Sequence, residues 1–139
     1  MKKLRVILLG AILTSISAVS FGSKSDCIRA GLDVKSNYQD AIKYCKPYER
    51  NSANIANILG GAYYFAHNYK LSEKYFQRYV QYSKTHKVNN LLLSGAYGSL
   101  ANIYYLGQGV KKNIAAGISY LKKSALLGNA ITQIQLSGI

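Results

Sequence analysis

The residues able to do acid–base, nucleophilic or metal chemistry are few in this chain, and their spacing argues against all three. The histidines are His67 and His86. Each is expected near a helix end, with no Cys, Asp or Glu cluster around it. A histidine so placed more often serves the helix C-terminal dipole or stands as an exposed polar group. The carboxylates are Asp26, Asp33, Asp40, Glu49 and Glu73, too scattered to pair as general acid and base. Metal-ligand spacing, a phosphate-cradling loop and a Gly-x-Ser-x-Gly turn are all missing from the sequence. No catalytic residue, metal or cofactor is expected. Recognition is the function class that remains.

Tyrosine carries the clearer signal. There are thirteen and no tryptophan. Tyr44, Tyr63, Tyr75, Tyr104 and Tyr120 recur at matching places and are expected in the core. Tyr64 and Tyr105 each follow a core tyrosine by one residue, which turns them about 100° away on a helix. They face either a groove or the next hairpin, and Asn57 and Asn102 are expected to point the same way. Tyrosine beside amides suits a partner-binding face, because the ring gives contact area and its tip a hydrogen bond. Lys43, Lys74, Arg78, Lys122 and Lys123 are expected to face outward. They form either a basic stripe suited to anionic lipid or an acidic protein, or an ordinary solvated face.

The first residues read as a leader. Lys2, Lys3 and Arg5 precede an apolar run over 6–19, and a small-x-small site follows at Ala18-Val19-Ser20 or Ser20-Phe21-Gly22. This is the layout of a cleaved secretory signal peptide over residues 1–22. The run is too short for a membrane span, which needs about 20 apolar residues. The short basic start points to a bacterial periplasm, with release to the outside as the alternative. Removing it leaves fifteen basic residues against five acids, a net charge of about +10. Such a surplus favours acidic partners. Nucleic acid is not expected, because the chain reads as exported and has no basic run longer than two residues.

Export also bears on Cys27 and Cys45, since an oxidising compartment pairs cysteines. A hairpin turning near residues 34–37 sets them opposite each other. A bridge there closes a loop of about 18 residues. The alternative, a redox-active pair, would use C-x-x-C, which this spacing does not resemble.

The elements that must position these residues announce themselves by repetition. Asn37, Asn68 and Asn113 each stand where a helix N-cap belongs. Four residues on comes a small residue, Ala41, Ser72 or Gly117, and three further an aromatic, Tyr44, Tyr75 or Tyr120. The partner helices align Leu59-Gly60-Gly61-Ala62-Tyr63-Tyr64 with Leu100-Ala101-Asn102-Ile103-Tyr104-Tyr105. Gly107-Gln108-Gly109 supplies a turn, and Gly128 suits a left-handed helix end. Pro47 falls near the end of the first hairpin, where a helix stops or bends. Helices are therefore expected over 26–33, 37–49, 52–66, 69–85, 90–106, 114–127 and 130–138, with no strand.

Residues 96–128 resemble a Sel-one-like repeat, a relative of the tetratricopeptide repeat. Ala96, Leu100, Tyr104, Gly107-Gln108-Gly109-Val110, Asn113, Tyr120, Ala125 and Gly128 carry the likeness. Ala101, Gly117 and Ser124 depart from the pattern but stay small. Residues 38–82 look closer to ordinary tetratricopeptide repeats. The resemblance implies an all-α, right-handed α-α superhelix over residues 23–139, of about three hairpins plus a short C-terminal capping helix. It also implies a concave groove that holds a protein partner, and no cofactor. Exported members of this kind resemble envelope adaptors, host-interaction factors and immunity proteins that block secreted lipase effectors.

Overall fold

Six α-helices follow one another among the described residues, 22–128, of this computed structural model, and no strand occurs among them. They are α1 (Lys24–Leu32), α2 (Tyr38–Cys45), α3 (Ala53–Phe65), α4 (Tyr69–Ser83), α5 (Asn90–Leu106) and α6 (Ile114–Leu126), with a 3-10 turn at Lys46–Tyr48 after α2. Nearly all of the expected leader lies outside the described residues, as does the expected helix over 130–138.

Side-chain caps set most helix starts. Ser23 accepts from the Asp26 amide while Asp26 accepts from the Ser23 amide, a reciprocal box that opens α1. Asn68 accepts from the Leu71 amide at 3.3 Å and Asn113 from the Ala116 amide at 3.0 Å, as their positions predict. Asn37 differs. Its side chain makes no capping bond and instead donates to the Asp33 carbonyl at 3.2 Å, because its backbone is already drawn into the tight α1–α2 turn.

The helix expected over 37–49 also ends early. Pro47 has no amide to continue the α pattern, so the chain tightens into the 3-10 turn. Gly107, at φ 71, ends α5, and Gly128 follows α6 at φ 90. The α3–α4 turn uses no glycine. The Asn68 amide reaches the Tyr63 carbonyl and the His67 amide reaches Tyr64, a Schellman closure that places His67 at φ 57.

Small residues decide how closely helices approach. Ser72 is fully buried and donates to the Gly60 carbonyl at 2.8 Å, joining α4 to α3. A Cβ on Gly117 would lie 2.8–3.0 Å from Tyr105, so α6 touches the α5 backbone there. At the far end of that pair, Ser94 and Ser124 each donate to the other's carbonyl, at 3.0 and 2.8 Å. These two contacts fix α5 and α6 antiparallel. One core gathers Cys27, Cys45, Ile55, Leu59 and Tyr75, and another Phe76, Tyr79, Val80, Ala96 and Leu100. Tyr44 and Tyr63 pack on the first, Tyr104 and Tyr120 on the second. Tyr79, one turn after Tyr75, is the tyrosine with no exposed surface at all.

Candidate functional site

A groove of about 420 Å³ lies between α1, α3 and α5. Ile28 and Leu32 form one wall and Leu91 and Leu92 the other. Leu32 is 83% exposed and Leu91 74%, an unusual position for two leucines in a chain this basic. Asn54, Asn57 and Ser99 add polar atoms, and no charged side chain lines the groove. Its depth comes from glycine. A Cβ on Gly31 would come within 2.6 Å of Ile58, so α1 lies directly against α3. Gly95 also lines the groove, yet a Cβ there would meet nothing within 4 Å.

Cys27 and Cys45 form a disulfide that holds α1, and hence the first wall, against α2. Both are fully buried, with Cα atoms 4.6 Å apart. Apart from Cys27, α1 buries only Ala30, so the bridge is the principal anchor of a nine-residue helix too short to be stable alone.

Of the four residues singled out as a binding face, Tyr64 and Asn102 meet in a hydrogen bond. Asn57 lines the groove. Tyr64 is half-buried, edge-on to Phe65 and Tyr69, and its hydroxyl accepts from Asn102 at 3.5 Å, which ties α3 to α5. Tyr105 is 38% exposed, and its backbone adjoins Gly117. The leucine and isoleucine walls escape the repeat alignment because they sit outside its matched positions. The available signal was an excess of apolar residues, with Ile28 and Leu32 one turn apart on a helix whose other face already holds Cys27 and Ala30.

The side of the molecule formed by α2, α4 and α6 has a different chemistry. Lys43, Lys74, Arg78, Lys122 and Lys123 are all exposed. Lys43 lies 5.0 Å from the Tyr44 ring centre, Lys46 5.3 Å from Tyr75, and Lys123 5.4 Å from Tyr120, so each of these three tyrosines has an ammonium over its face. Tyr75 stacks on Tyr63 at 5.5 Å, and Tyr120 stacks on both Tyr104 and Tyr97. Gln77 donates to the Tyr120 hydroxyl at 2.8 Å, and the Tyr104 hydroxyl donates to Glu73 at 2.8 Å. Burial, with Glu73 as acceptor, pushes the Tyr104 phenol up.

Lys46, Glu49 and Tyr75 form a closed cluster. Lys46 donates to Glu49 and to the Tyr75 hydroxyl, both at 2.7 Å, and Tyr75 donates to Glu49. The hydrogen bond from Lys46, then that from Tyr75, holds the Glu49 carboxyl down to about 2, while Glu49 holds the Lys46 ammonium above the usual lysine range. A general acid or base works best with a pKa near the operating pH. Here both charges are locked, so the cluster ties the first hairpin to the second. His67 pairs with the Tyr69 hydroxyl at 2.8 Å and His86 stacks on Tyr82 at 4.0 Å. Among the described residues no three of His, Cys, Asp and Glu gather to hold a metal ion. Nor is any helix there long and apolar enough to cross a membrane.

Comparison of the chain with protein-family models, with curated proteins and with solved structures returned no match. The groove and the tyrosine–lysine face therefore have to be interpreted from their own chemistry.

Proposed function

We propose that this chain is an exported, non-catalytic recognition module whose helical hairpins stack as a right-handed Sel-one-like superhelix. Its α1–α3–α5 groove takes a segment of a protein partner. The observation that carries this reading is a groove lined without a single charge, walled by exposed Leu32 and Leu91, in a chain of formal net charge +13. Leucines so exposed are costly in water and profitable under an apolar partner. The occupant this fits presents apolar side chains to the groove. The sharpest form of the reading is an immunity protein that occludes a secreted lipase. Its support is the family resemblance together with the leader and the small size. An envelope adaptor or host-interaction factor would use the same groove.

The test is crosslinking from a photoreactive residue placed at Leu91, with partners identified by mass spectrometry. A partner captured by the native groove and lost with Leu32→Asp is the expected result. Capture that survives Leu32→Asp unchanged rejects the groove as the site.

A further inference from the structure

The groove leaves the opposite side of the molecule unused, and there the cations stand in an ordered row. On α4, Lys70, Lys74 and Arg78 are four residues apart and all exposed. Like charges at that spacing repel along a helix and destabilise it. Contacts between helices extend the row sideways. Lys46 lies over Tyr75 of α4, Gln77 of α4 donates to Tyr120 of α6, and Lys123 lies over Tyr120.

The nearby carboxylates do little to neutralise this row. Glu49 is held by Lys46 and the Tyr75 hydroxyl, and Glu73 accepts from the Tyr104 hydroxyl. Of the α4 cations, Lys74 acts on Glu49, and it does so through space. The cations thus spread across α4 and α6 rather than lining a cleft, with the half-buried Tyr104 and Tyr120 beside them.

We propose that this face docks on an anionic lipid bilayer, with Lys70, Lys74, Arg78 and Lys123 against the headgroup phosphates and the tyrosines beside them at headgroup depth. A broad array of separate cations matches a sheet of separate anions, and tyrosine favours the membrane–water interface. This inference is independent of what fills the groove. It would hold the module at a membrane surface while the groove stays open to a partner.

Flotation of the purified protein with vesicles of phosphatidylglycerol and phosphatidylcholine in equal parts tests it. Binding should be strong at low salt, vanish at high salt and be missing with phosphatidylcholine alone. A triple variant, Lys74→Gln with Arg78→Gln and Lys123→Gln, should bind about a hundredfold more weakly, at about fivefold per lost charge. A control triple, Lys24→Gln with Lys35→Gln and Lys87→Gln, changes net charge equally at positions outside α4 and α6 and should keep most of the binding. Circular dichroism confirms that both variants are folded. The proposal is overturned if anionic vesicles fail to bind the protein at low salt or if the control triple loses as much as the face triple. Retention by a soluble polyanion without vesicle binding overturns it as well.

Discussion

The groove and the tyrosine–lysine face are built by alternate helices of the same hairpins and solve opposite problems. Along α1, α3 and α5 the groove has no charge, and its leucines are turned out to solvent. Across α2, α4 and α6 the large rings are stacked or hydrogen-bonded, and the charges sit over them. On the second face Tyr75, Tyr104 and Tyr120 find hydrogen-bond partners among the described residues, whereas the buried Tyr79 hydroxyl of α4 has none. The first leaves apolar surface unpaid for, which a self-sufficient fold has no reason to keep. Glycine makes the same distinction. Gly117 is demanded by the approach of Tyr105, whereas nothing inside the molecule demands Gly95.

The largest effect should come from cutting the staple that holds the groove's first wall. Replacing Cys27 and Cys45 together by serine should cost about 3 kcal/mol in denaturant unfolding. Hydrogen exchange should show α1 released while α3 to α6 keep their protection, which confines the damage to the groove.

A pair of glycine substitutions sharpens the contrast. Gly117→Ala should destabilise by about 2 kcal/mol, because the methyl group meets α5 backbone that cannot yield. Gly95→Ala should raise the melting temperature, gaining up to about 1 kcal/mol of helix propensity. It should also weaken any groove-bound partner by filling space. Equal losses from both substitutions would erase the distinction drawn here.

Acid should affect the tyrosine–lysine face before the groove. Glu49 is held at about 2 in the folded protein against an ordinary value of 4.5. Its contribution is therefore complete above pH 4.5 and lost as pH falls toward 2. Solvent around the carboxylate limits that contribution to about 1 kcal/mol. Glu49→Gln should flatten stability against pH across this window, measured by urea unfolding. The smallest effect belongs to the hairpin turns. His67 holds a left-handed backbone that Gly107 holds without strain at the end of α5. His67→Gly should stabilise by less than about 1 kcal/mol, offset by the lost bond to Tyr69.

Much of the helical plan was legible in the residues. Asn68 and Asn113 cap where their spacing says they should, and Ser72 and Gly117 lie at the closest helix approaches. The Cys27–Cys45 pairing follows from two positions equidistant from one turn. The failures were local competitions. Asn37 could bond forward or backward and chose the Asp33 carbonyl. Pro47 shortened α2, and Tyr79 reached the core although the repeat alignment did not mark it. Of the residues expected on a binding face Asn57 lines the groove, and which helix face meets a neighbour depends on how the hairpins sit against each other.

Caps, small residues and apolar spacing are properties of a few neighbours along the chain, so the sequence alone determined an all-helical protein, the places where its helices start, and the cysteines that pair. Which side chains those helices leave uncovered depends on contacts between residues far apart in sequence. Only the tertiary structure, by laying α1 and α5 on either side of α3, put Leu32 and Leu91 on facing walls and turned Tyr64 toward Asn102.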